Sequence, residues 1–163
     1  MAQDHSFDIV SRIDFQEVSN AVHTTLKEIR NRFDFKNSRA EIVQEKERLT
    51  LVADDDFKVK ALRTALEEKL VRRKVPLRAL NYGRIEDGAN RTVKLAADFQ
   101  VGIPVEKARE IVKLVKGAKF KAQVAIQGDE VRVSSSKIDT LQEVIAFLKA
   151  RDLGIHMQFV NYR

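Results

Sequence analysis

Between Lys107 and Lys121 the chain carries Lys107, Arg109, Lys113, Lys116, Lys119 and Lys121 against a single acid, Glu110. Arg109, Lys113 and Lys116 recur at steps of four and three, which aligns them on one flank of a helix. Lys119 and Lys121 lie just beyond its end and extend the same surface. Several converging cations suit a multiply charged phosphate, whereas one solvated lysine binds little. The competing reading is a solvated helix face whose cations complement the negative end of the helix dipole.

A second cluster is Arg32-Phe33-Asp34-Phe35-Lys36-Asn37. Two aromatics among charges can stack a base and hold a phosphate. Phe33 continues the apolar stripe of the preceding helix and is expected in the core, which leaves Phe35 and Lys36 as the open candidates. His5, His23 and His156 are scattered, with no metal-ligand spacing. The run Asp54-Asp55-Asp56 is better read as a helix start than as a cation site, because no Gly or terminal Glu completes a calcium loop. There is no Gly-rich phosphate loop and no Gly-x-Ser-x-Gly elbow. No enzyme, resident cofactor or metal is expected.

The elements that must carry these residues follow from periodicity. Phe7 to Ser11 reads as a strand. Asp14 to Glu17 has the N-cap acid and the acid three residues on that satisfy free amides, and Val18, Val22, Leu26, Ile29 and Phe33 set the stripe of a helix over 15–32. Strands over 40–43 and 48–53 flank a turn. A second helix follows Asp54–Asp56, with Phe57, Ala61, Leu62, Ala65, Leu66 and Leu70 inward. A strand over 80–85 closes the half before Asp87-Gly88. The second half repeats the order: a strand over 92–99, a helix entered at Pro104 and ended at Gly117, and strands over 121–127 and 130–134 about Gly128-Asp129. Another helix starts at Ser136, with Ile138, Leu141, Ile145 and Leu148 inward, and a strand over 157–162 ends the repeat. Two successive βαββαβ units are therefore expected, residues 1–90 and 91–163. Each forms a four-stranded antiparallel sheet with two helices on one face, the ferredoxin-like arrangement of an α+β protein. Right-handed crossovers put the first and third strands of each unit in the centre.

With 44% hydrophobic and 33% charged residues the chain has the profile of a folded domain. Cysteine is absent, which excludes disulfides, thiolate metal sites and a cysteine nucleophile. The start Met-Ala-Gln-Asp-His-Ser-Phe is not that of a secretory leader, and no apolar run approaches the ~20 residues of a bilayer span. A cytoplasmic protein without membrane contact is expected. Net charge is +6; residues 1–90 hold 17 basic and 16 acidic side chains, and residues 91–163 hold 13 and 8. That excess favours anionic partners. The strand segments 48–53 and 130–134 lack aromatics, so base stacking in the manner of RNA-recognition domains is disfavoured.

Ser6-Phe-Asp-Ile-Val-Ser11, Arg32-Phe-Asp-Phe-Lys-Asn37, Ala125-Ile-Gln-Gly-Asp-Glu-Val-Arg-Val133 and Gln158-Phe-Val-Asn-Tyr-Arg163 together resemble the bacterial YajQ family along essentially the whole chain. His156-Met157 and Ser134-Ser-Ser136 vary from its pattern; neither touches the basic segment. The resemblance implies tandem ferredoxin-like units that exchange their first strands, here the segments near 6–12 and 91–99. It also implies binding of nucleotides, cyclic di-GMP or purine nucleotides, with RNA reported for the family and an influence on transcription for some members. It supplies no set of ligand contacts. The phosphate-binding residues Arg109, Lys113, Lys116, Lys119, Lys121 and Lys36 are inferred from charge geometry. Sequence-nonspecific RNA binding and a protein-interaction adaptor, for example to a transcription regulator, stay open as alternatives. A monomer is expected.

Overall fold

The computed structural model describes residues 4–163; Met1-Ala2-Gln3, on which part of the leader reading rests, lie outside the described residues. The elements are β1 (His5–Val10), α1 (Phe15–Arg30), β2 (Ala40–Glu45), β3 (Arg48–Ala53), α2 (Asp56–Arg72), β4 (Leu80–Asp87) and β5 (Val93–Phe99). They continue with α3 (Val105–Gly117), β6 (Gln123–Gln127), β7 (Glu130–Ser135), α4 (Ile138–Lys149) and β8 (Gln158–Val160). Among the described residues no helix is long and apolar enough to cross a membrane.

The strands form two four-stranded antiparallel sheets, in the orders β2-β3-β5-β4 and β6-β7-β1-β8. With four helices this is an α+β fold of duplicated ferredoxin-like type. The chain divides into two compact units, one of residues 13–100 and one of residues 1–12 with 101–163. β5 thus lies between β3 and β4, and β1 between β7 and β8.

In the 13–100 unit, Leu49, Leu51 and Ala53 of β3 and Leu95, Ala97 and Phe99 of β5 alternate inward. They meet Val18, Ala21, Val22 and Ile29 of α1 and Val59, Leu62, Ala65, Leu66 and Leu70 of α2. Asp14 caps α1, its Oδ1 accepting from the amides of Gln16 at 3.0 Å and Glu17 at 3.3 Å. Asp55 caps α2, accepting from the Lys58 amide at 2.8 Å. Two apolar expectations fail here. Phe33 is 89% exposed while Phe35 is 5% exposed. The reason is that α1 ends at Arg30 and Arg32 is extended (φ −83°, ψ 132°), so the helical period stops before Phe33 and a 3-10 turn swings Phe35 inward. Phe57 is also exposed, because the buried stripe of α2 runs through Val59, Leu62, Leu66 and Leu70 instead. Tyr82 sits under the Arg63 guanidinium, 3.7 Å from its ring, and burial pushes its hydroxyl up to about 12.

In the other unit Phe7 and Ile9 of β1 and Val131 and Val133 of β7 pack against Ala108, Ile111 and Val115 of α3 and Leu141, Val144 and Leu148 of α4. On the opposite side of β1, Asp8 is 3% exposed. It accepts from Arg132 Nε at 2.8 Å and Nη2 at 3.3 Å, and from Asn161 Nδ2 at 2.8 Å. The Arg132 hydrogen bonds hold its carboxyl below the usual carboxylate range, against the opposing push of burial, with Asn161 helping. Gly102, at φ +77°, fits because a Cβ there would lie 2.5 Å from the Asp129 carboxylate. α4 starts at Ile138 rather than Ser136, with Lys137 at its cap and Ile138 exposed. Ser135 Oγ, not Ser136, organises this corner, donating to the Lys121 carbonyl at 2.9 Å.

Candidate nucleotide-binding groove

Burial of Ala108, Ile111 and Val115 turns the opposite side of α3 to solvent, and Arg109, Lys113 and Lys116 are exposed there. None of the three is in an ion pair among the described residues; the ion pair on α3 joins Lys107 to Glu110 at 3.4 Å. Unpaired cations keep their full charge for a ligand.

Lys113 also lines a groove of about 510 Å³ between the C-terminal parts of α3 and α4, with Glu110, Leu114, Gly117, Ala118, Phe147 and Arg151. Gly117 and Ala118 are small, which leaves the groove open at the end of α3. Its far wall is a stack: the Arg151 guanidinium lies 3.8 Å from the Phe147 ring, and Phe147 stands edge-on to Phe120 at 5.3 Å and 75°. A guanidinium held over an aromatic face retains an outer plane on which a base can stack, and its hydrogen-bond donors remain free at the rim.

The other expected site residues distribute differently. Lys119 is exposed in the turn after α3, with its backbone in the left-handed region at φ 59°. Lys121 lines a separate hollow of about 320 Å³ with Phe120, Gln123 and Ser134 to Ser136. Lys36 is exposed, but it belongs to the 13–100 unit and follows the turn that buries Phe35. Phe35 itself faces two cations, Arg32 at 5.5 Å and Lys58 at 4.9 Å from its ring centre, and this spends it on packing. So the structure brings Arg109, Lys113 and Lys116 onto one surface and adds Phe147 and Arg151, which charge counting along α3 misses. Their signal was the i,i+4 spacing of Phe147 and Arg151 at the end of a helix.

Histidine and carboxylate groupings that would hold a metal are absent among the described residues. Among the described residues the central strands offer no exposed aromatic ring for stacking either. The aromatics of the central strands, Phe7 of β1 and Phe99 of β5, are both buried in the cores.

Residues 5–163 match the family described as nucleotide-binding protein YajQ-like. A protein of Koribacter versatilis is 54% identical over 160 residues, covering 98% of each chain. One of Heliobacterium modesticaldum is 52% identical over 163 residues, covering 100% of this chain and 99% of its own. One of Bacillus cereus is 47% identical over 163 residues, covering both chains fully. All three carry the name nucleotide-binding protein. A match over nearly every residue, at about half identity, has one meaning: this chain belongs to the YajQ-like family.

Proposed function

We propose that the protein binds nucleotides without transforming them, seating phosphates on Arg109, Lys113 and Lys116 and a base on the Arg151–Phe147 stack. The observation that carries this reading is the convergence of Lys113 and the stacked Arg151 in one groove. Lys119 and Lys121 extend the positive field beyond the helix, and Lys36 contributes only to the charge of the other unit. The names of the relatives agree with a nucleotide as ligand class. Cyclic di-GMP is the finer reading: two phosphates suit a row of three cations, and a purine suits a guanidinium plane. As a cytoplasmic effector, the protein would pass occupancy of this groove to a transcription regulator.

Isothermal titration with cyclic di-GMP, GMP and ATP tests the site in the wild type, Lys113→Glu/Lys116→Glu and Arg151→Ala. The double charge reversal is expected to weaken binding at least about tenfold, on the order of 1.4 kcal/mol. Arg151→Ala should weaken purine nucleotides more than inorganic pyrophosphate, which loses a nearby charge but no stacking plane. Equal affinity in wild type and double variant sinks this site. RNA binding through phosphates alone would instead show a steep loss of affinity with salt and indifference to Arg151.

A further inference from the structure

Four strands lie at sheet edges: β2 and β4 in one sheet, β6 and β8 in the other. An open edge is a template for strand pairing, and proteins blunt such edges with charges, bulges or short length. Three of the four are blunted. β2 carries Glu41 and Glu45. β4 is irregular between Tyr82 and Ile85 and carries Arg84 and Glu86. β8 is three residues long and runs into Asn161 at φ 56°. β6 has none of these devices. Gln123-Val-Ala-Ile-Gln127 holds no charge and no proline, and it pairs with β7 in unbroken register. Gln123, Ala125 and Gln127 are exposed, and Ile126 is 41% exposed beside the core that Val124 joins.

The segment also reads almost the same in both directions: Lys121-Ala-Gln-Val-Ala-Ile-Gln-Gly-Asp129. Antiparallel pairing of two copies about Ala125 sets Gln123 opposite Gln127 and Val124 opposite Ile126, twice each. It directs Lys121 of each copy toward Asp129 of the other. Amide side chains then face amides, branched aliphatics face aliphatics, and opposite charges meet at both ends. A two-fold contact requires this self-complementarity, and it closes at two copies. We infer that β6 is a homodimerisation edge, joining two chains through one continuous eight-stranded sheet. This departs from the monomer expected from sequence and is independent of the nucleotide groove. A ladder of five residues per copy is small for a permanent interface, so association on the order of micromolar fits it.

Sedimentation equilibrium from micromolar to hundreds of micromolar tests the contact. The wild type should pass from 18.6 kDa to twice that mass. Ala125→Lys and Ala125→Glu place like charges opposite each other on the two-fold axis and should each remain at 18.6 kDa, whereas their equimolar mixture should dimerise. The chain has no cysteine. With oxidised glutathione added as the two-electron oxidant, Ala125→Cys should therefore link rapidly into a covalent dimer, because directly opposed residues lie ~4.5–5.5 Å apart between Cα atoms, within disulfide reach. Gln142→Cys, exposed on α4, serves as the collision control and should link slowly. A wild type that stays monomeric, an Ala125→Lys variant that associates like the wild type, or equal cross-linking at both cysteines overturns the inference.

Discussion

At the scale of single residues, neighbouring aromatics have opposite fates. Phe33 and Phe35 are two positions apart, yet only Phe35 is in the core, under Arg32 and Lys58. Helical periodicity predicts the reverse, since it assumes that the helix continues beyond Arg30. The stability of two truncations measures the difference. Phe35→Ala should cost about 3 kcal/mol by chemical denaturation, in the range for deleting a buried ring, and Phe33→Ala should stay within about 0.5 kcal/mol. Similar losses in both would contradict the observed burial. The same sorting applies to the proposed groove. The cation at Lys113 was legible from charge and spacing alone, but Arg151 entered the proposed groove only when α4 set it on Phe147 beside α3.

Among elements, β1 is held from both sides. Both of its faces are buried along Phe7 to Val10, and it pairs with β7 on one side and β8 on the other. The Asp8 carboxylate ties the three together through Arg132 of β7 and Asn161 just past β8. His5 Nδ1 and the amide of Ser6 lie within hydrogen-bond distance of the Arg163 carbonyl, both at 3.3 Å, so the segment after β8 is fastened to β1 as well. Because the folded-state pKa of Asp8 is depressed, its stabilisation is complete above the ordinary carboxylate value. It is lost as pH falls through the lower folded value. Asp8→Asn should cost about 2 kcal/mol at pH 7, a figure discounted for the partly exposed Arg132. Urea unfolding at pH 7 and near pH 3 checks it: the gap between wild type and variant should shrink in acid, and an unchanged gap would remove Asp8 as its source.

The whole molecule redistributes what the linear halves suggest. Counted along the chain, the positive excess belongs to residues 91–163. Counted by compact unit, residues 13–100 carry 18 basic and 15 acidic side chains, and residues 1–12 with 101–163 carry 12 and 9, an excess of 3 in each. The basic flank of α3 is therefore a local feature rather than the outcrop of one strongly charged domain. The same topology makes the turn at Gly88 a poor place to divide the protein, since β1 would lose β7 and β8, and β3 and β4 would lose β5. Fragments 1–88 and 89–163 expressed separately should each lack a cooperative thermal transition and regain it when mixed; two independently folded fragments would refute this.

The order of elements, the acid cap at Asp14, the acidic helix start at Asp54 to Asp56, the alternation of the strands and the cationic flank of α3 were all determined by sequence. Each depends on interactions within a few residues, where helical and strand periods and hydrogen bonds to nearby amides act directly. Strand neighbours, the truncation of α1 that exposes Phe33, and the meeting of Phe147 and Arg151 with Lys113 were decided only by tertiary structure. These depend on which distant segments bury one another's apolar faces. That choice is made by the summed packing of the cores, and local propensity does not carry it.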